Sequence, residues 1–148
     1  TALAAVAAEV LYIERTRYAT LGIEVEEAFP ADLHLVMADS EKLKQALLNL
    51  CNNAVEAMPQ GGTLTLRAHN AEEQVVLEVV DTGLGIPDGV DIFEPFATTK
   101  TWGTGLGLVI VRQIVSAHGG TITYASERGK GTVFSLSLPL RTHPAANP

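Results

Sequence analysis

Residues 39–58, "DSEKLKQALLNLCNNAVEAM", constrain the fold more than any other stretch. Asp39 or Ser40 can act as N-cap, Glu41 stands in the first turn, and the run stops at Pro59 and the Gly61-Gly62 pair. Leu43, Leu47, Leu50, Ala54 and Met58 make one apolar stripe, so this helix has to lie against a second layer. Its other side carries Gln45, Asn49, Asn52, Asn53 and Glu56. At 100° per residue, Asn49, Asn53 and Glu56 fall within about 60° of one another. Asparagine is a poor helix former, so the cluster costs helix stability. Amide oxygens suit magnesium, which takes one or two protein ligands beside phosphates and water. A solvated polar face is the other reading.

Short β-prone runs surround this helix. "GIEVEEAF" and "LHLVMA", on either side of Pro30, predict two strands. "GTLTLRAH" and "QVVLEVVD", separated by "NAEE", predict a hairpin, and "TITYAS" with "TVFSLSLPL" around "ERGKG" predict a closing pair. Upstream, Val6, Val10 and Ile13 predict an amphipathic helix from Leu3 to near Arg17, which packs on this domain or continues an upstream helix.

Residues 82–105 show no sustained period, and so long a stretch without regular structure inside a compact domain points to a functional loop. A second helix is predicted from about Gly105 to His118, stopped by Gly119-Gly120. Gly103, Gly105 and Gly107 stand at its start, although each glycine weakens a helix by roughly 1 kcal/mol. Neither familiar phosphate motif fits. A dinucleotide fingerprint from Gly103 meets Leu108 where its last glycine belongs, and Gly129-Lys130 is followed by Gly131 rather than the hydroxyl residue of a P-loop. Bare backbone N–H groups at the positive end of a helix dipole nevertheless form an anion seat, to which Lys100 can add a point charge. A glycine-rich turn over a buried helix is the structural alternative. Asp81 ends an apolar strand where Gly83 and Gly85 turn the chain. Its carboxylate can accept from an exocyclic amine, or from its own turn backbone.

Length and charge bound the partners. A chain of 148 residues with 47% hydrophobic and 18% charged residues fits one globular domain. Its net charge of −7 repels nucleic acid and anionic membranes, so a phosphate ligand must be held by short-range groups. Cys51 is the single cysteine, which excludes an internal disulfide and a cysteine-based structural zinc site and fits a reducing compartment. No apolar run approaches the roughly 20 residues that span a bilayer, so a cytoplasmic location without membrane contact is expected for these residues. Thr1 falls straight into helical sequence, which suggests a piece of something longer, and residues 141–148 are expected to be a disordered tail after a domain of residues 1–140.

Taken together, the order and spacing of these pieces resemble the nucleotide-binding boxes of the histidine kinase catalytic domain, in the superfamily that includes gyrase, the Hsp90 chaperones and the MutL repair proteins. "NLCNNA" matches the N box, "DTGLGIP" the first glycine box, "IFEPF" the F box and "GTGLGLVIV" the second glycine box. The resemblance implies a two-layer α/β sandwich of the Bergerat type, a mixed and mostly antiparallel sheet of about five strands with three helices on one face. It implies ATP and Mg2+ as ligands. Asn53 would hold the metal, with Asn49 one turn earlier. Asp81 would accept from the adenine amine, Gly83, Gly85 and Ile86 would line the base pocket, and Thr132 would add a polar contact. Thr98, Thr99 and Lys100 would belong to a lid over the phosphates. Gly103, Thr104, Gly105 and Gly107, with Leu106 and Leu108 anchoring the helix, would deliver N–H groups to the triphosphate and so recover what the glycines cost. The step would rest on charge neutralisation by magnesium, Lys100 and backbone donors.

Within the superfamily, Asn49 stands where the hydrolysing branches usually carry glutamate, and an amide cannot take a proton from water. The implied activity is therefore transfer of the γ-phosphate to a histidine, in two-component signalling, rather than rapid hydrolysis. An ATP-hydrolysing switch of the gyrase, Hsp90 or MutL kind and a non-catalytic nucleotide-sensing scaffold are the alternatives. Only five residues separate Ile86 from Ile92, so a small helix common in relatives is expected to be missing, and the six residues between Phe96 and Gly103 resemble the short lids of the nitrogen-regulation type. None of His34, His69, His118 and His143 sits in an H-box pattern, and His118 reads as a helix C-terminal cap whose basic ring suits the dipole. The implied partners are thus a separate dimerisation and histidine phosphotransfer module upstream and, indirectly, a response regulator receiver domain.

Overall fold

The computed structural model describes residues 1–86 and 107–140. Its elements in chain order are α1 (Leu3–Thr20), β1 (Ile23–Ala28), α2 (Ser40–Glu56), β2 (Gly62–Ala71), β3 (Gln74–Asp81), α3 (Gly107–Ala117), β4 (Thr121–Glu127) and β5 (Gly131–Pro139). The five strands form one sheet in the order β1-β2-β3-β5-β4. Only β1 and β2, joined through α2, run parallel; the other three pairings are antiparallel.

Strand periodicity sends alternate residues to opposite faces. One face is fixed by the register: Leu64, Leu66 and Ala68 of β2 stand beside Asp81, Val79 and Leu77 of β3, which stand beside Thr132, Phe134 and Leu136 of β5. All of these are buried. They meet Leu43, Leu47, Leu50 and Ala54 of α2 and Leu108, Val111, Ile114 and Val115 of α3, with α1 beside α2 at the β1 edge. The other face carries Thr65, Arg67, Glu78 and Ser135, where Arg67 Nε donates to Glu78 at 2.5 Å. The expected two-layer sandwich with three helices on one face is therefore the fold.

Asp39 is the N-cap of α2: its Oδ1 accepts from the N–H groups of Glu41 at 3.0 Å and Lys42 at 3.2 Å. The stripe expected on α2, Met58 included, is buried throughout. His118 caps α3 through its ring. Its Nε2 accepts from the Asp39 N–H at 3.0 Å, so the ring proton sits on Nδ1 and is donated to the Ile114 carbonyl at 2.8 Å. One ring thus ties the end of α3 to the start of α2.

Three expectations are corrected. "LHLVMA" is not a strand. Its alternation is real, with Val36 buried between exposed Leu35 and Met37, but the Val36 N–H donates to the Thr1 carbonyl at 3.0 Å instead of to a ladder. After Ala28 the chain leaves the sheet edge to reach α2. In α1 the buried positions are Leu3, Val6, Ala7, Val10, Leu11 and Tyr18, and the helix runs on to Thr20 rather than ending near Arg17. Ile13 lies off this stripe and is 72% exposed, because 100° steps carry it about a quarter turn from the stripe's centre. The β2–β3 connection is also tighter than "NAEE" suggested, since Asn70 and Ala71 still pair with Val75 and Gln74.

Candidate functional site

The asparagines of α2 divide between two neighbours. Asn52 faces α1: its Oδ1 accepts from Tyr18 Oη at 3.1 Å and Arg17 Nη2 at 2.6 Å. Tyr18 is fully buried, and that burial raises its phenol pKa. Burial likewise pushes the Glu56 carboxyl above the usual carboxylate range, opposed by the Arg17 charge. On the α3 side the picture is different. A β-carbon built at Gly107 would lie 3.9 Å from Asn49 Cγ and 4.0 Å from its Oδ1, so the Asn49 amide rests against the described start of α3. Asn53, one turn on, has a buried side-chain Nδ2 with no hydrogen-bond partner. Buried polar atoms are almost always paired, and an unpaired one marks a place for a ligand, ion or water.

Across from these amides, the first glycine segment closes the end of the sheet. Asp81 is 5% exposed, and its Oδ1 accepts from the Gly83 N–H at 2.8 Å. Burial raises its pKa, while backbone N–H groups of Gly83 and Thr132 oppose the rise. The turn-aspartate reading is thus realised in the geometry; the contact fixes the carboxylate in place. Gly83 is required because a β-carbon there would strike the Ala57 carbonyl at the end of α2. Gly85 has φ +81° and no room, with Glu127 O 2.7 Å from a built β-carbon. Leu84 N–H donates to Ala57 O at 2.9 Å, and Leu84 O accepts from Gly129 N–H at 2.8 Å. The segment is therefore clamped between α2 and the β4–β5 turn, with Ile86 buried beside it.

Of the candidate residues, Asn49 and Gly107 come together where α2 meets α3, with Asn53 one turn further along α2 and Leu108 buried next to Gly107, and Asp81, Gly83, Gly85, Ile86 and Thr132 gather at the sheet end. Thr98, Thr99, Lys100, Gly103, Thr104, Gly105 and Leu106 lie outside the described residues, as do the F box and the lid. Sequence reasoning missed Ser126, which binds both Ile86 and Thr132. Its only signal was a hydroxyl residue at the end of the run "TITYAS". A depression of about 390 Å³ at this end of the sheet is lined by Asp81, Thr132 and Ser126 together with Val80, Ala125 and Val133 of the opposite face. Among the described residues no group of histidine, cysteine and acidic side chains is arranged to hold a metal, and no helix is long and apolar enough to cross a membrane.

This geometry has close relatives. Over 121 residues the chain is 46% identical to the sensor histidine kinase ZraS of Escherichia coli (strain K12), covering 79% of this chain and 26% of that protein. The chain thus spans about a quarter of the length of that relative. The catalytic domain of histidine kinase ThkA superposes with a TM-score of 0.84 at 32% identity, covering 94% of this chain and 95% of the other. ThkA has also been solved in complex with the response regulator protein TrrA, where the TM-score is 0.82 at 27% identity, over 96% of this chain and 41% of that one. Full-length ShkA in complex with AMPPNP gives 0.85 at 32% identity, over 94% of this chain and 30% of that one. Residues 38–142 match the family described as histidine kinase-, DNA gyrase B-, and HSP90-like ATPase, and this chain belongs to that family.

Proposed function

We propose that this domain binds Mg-ATP between α2, α3 and the Asp81 segment, and passes the γ-phosphate to a histidine on a separate dimerisation and phosphoacceptor module, from which a response regulator receiver domain takes it. The single observation that carries the reading is the orphaned, buried Nδ2 of Asn53, one turn on from Asn49. A neutral amide there suits magnesium or a phosphate oxygen, and rotating it by half a turn exchanges the donor for an oxygen ligand. Bound magnesium would neutralise charge on the phosphate oxygens.

The chain's own residues supply position. Asp81, held by the Gly83 N–H, is an acceptor aimed from the end of the sheet, matched to the exocyclic amine of adenine. Ile86 offers apolar surface to the base, and Thr132 a buried hydroxyl. Gly107, with Gly103 and Gly105 before it in sequence, leaves backbone N–H groups free of side chains at the head of α3. Lys100 would add charge. Asn49 has no basic oxygen, so water is not activated and the phosphoryl group is kept for the acceptor histidine. The ZraS and ThkA names support the kinase reading over a hydrolytic switch.

Isothermal titration of a non-hydrolysable ATP analogue, with and without magnesium, into wild type and Asp81→Asn tests the binding half. Wild type binds with a magnesium-dependent gain, and Asp81→Asn binds at least tenfold more weakly. Transfer to a supplied phosphoacceptor domain tests the other half and is lost in Asn53→Ala. Fast ATP hydrolysis by the wild-type domain alone would contradict the reading.

A further inference from the structure

Three adjacent strands bring Asp81, Thr132 and Ser126 into one row on the helix-facing side: Asp81 pairs with Thr132 across β3–β5, and Thr132 with Ser126 across β5–β4. Resting on the adenine site proposed above, we infer that Ser126 is a positioning residue that holds Ile86 and orients the Thr132 hydroxyl, and so contributes to selection of adenine over guanine nucleotides.

The hydroxyl of Ser126 has one proton and two lone pairs. It accepts from the Ile86 N–H at 2.7 Å, stands 3.0 Å from Thr132 Oγ1 and 3.3 Å from the Gly131 carbonyl. Its proton can serve only one of the last two. If it goes to Gly131, Thr132 donates to Ser126 and presents only lone pairs elsewhere. If it goes to Thr132, the Thr132 proton is released for another acceptor. Either way, the direction and polarity of a hydroxyl on a residue only 3% exposed are set by Ser126. Adenine and guanine differ in this respect, since their six-substituent and ring N1 exchange donor and acceptor roles. An acceptor-only Asp81 reads the six-substituent; an oriented Thr132 hydroxyl adds a second polar contact, and the pinned Ile86 sets where the base plane lies.

The test compares wild type, Ser126→Ala and Ser126→Thr for binding of non-hydrolysable ATP and GTP analogues, with amide hydrogen exchange at Ile86 read in parallel. Ser126→Ala is expected to weaken ATP-analogue binding by about tenfold, the size of one lost hydrogen-bond contribution, to narrow the ATP-to-GTP preference and to speed exchange at the Ile86 amide. Ser126→Thr keeps the hydroxyl and restores all three readouts towards wild type. An unchanged ATP-to-GTP ratio in Ser126→Ala overturns the inference, whether both affinities hold or fall together. A wild type that binds no nucleotide overturns the proposed function and this inference with it, whereas wild-type binding with an unaltered Ser126→Ala ratio removes the inference alone.

Discussion

Asn52 and Asn53 are neighbours on one helix and of one residue type, yet their amides have opposite fates. Asn52 is used by the fold: it closes the α1–α2 seam by satisfying the buried Tyr18 hydroxyl and the Arg17 guanidinium. Asn53 is half-buried, with a buried Nδ2 donor that has no hydrogen-bond partner. A 100° step is enough to move a side chain from one seam to the other. The two amides of α2 therefore differ in their partners: one is paired across the α1–α2 seam, and the other carries the cost of a buried donor without a partner.

The strongest way to break this comparison is to exchange the losses. Asn53→Ala is expected to lower affinity for the magnesium–ATP analogue by about 100-fold, the upper end of what losing a metal-site partner costs, while its thermal midpoint stays level or rises because an unpaired buried donor has been removed. Asn52→Ala should do the reverse. It removes the acceptor of the Tyr18 hydroxyl proton, costing about 1–3 kcal/mol in urea denaturation, with nucleotide affinity unchanged.

Asp81→Asn sharpens the same division at the other wall. Because burial raises the Asp81 pKa, the charged carboxylate weighs against folding at neutral pH, and that penalty is relieved as pH falls through the folded value towards the ordinary carboxylate range. The asparagine variant should accordingly show a flatter stability–pH profile between neutral pH and that range. In wild type, nucleotide affinity should fall over the window in which apoprotein stability gains, since protonation removes the acceptor. Titrations at stepped pH, paired with thermal melts, check both signs.

The smallest effect concerns Cys51, whose thiol is fully buried and pushed up to about 12. It should resist thiol reagents in the native domain and react at the rate of unfolding. The Asn52→Ala variant, loosened along the same α1–α2 seam, should label faster than Asn53→Ala.

Much of this was legible before any coordinates. The Asp39 cap, the α2 stripe and the Gly-Gly stops are local signals, and local signals survive into the fold. The order of the glycine boxes pointed to the family that residues 38–142 match. What escaped depended on contacts between distant segments. Val36 has strand-like alternation, but its backbone partner is Thr1. Asn52 reads as part of a polar face, and only packing of α1 gives it Tyr18. His118 reads as a helix cap, and its second contact, to the Asp39 N–H, depends on the packing of α3 against α2. Ser126 gains its importance from Ile86, forty residues away in the chain.

The most direct measurement is calorimetric titration of a non-hydrolysable ATP analogue with magnesium into wild type, Asn52→Ala and Asn53→Ala, each with its thermal midpoint recorded. The account predicts tight binding by wild type and Asn52→Ala, near-complete loss in Asn53→Ala, and a lowered midpoint in Asn52→Ala alone. Equal binding by all three proteins, or loss of binding that tracks loss of stability, would contradict it.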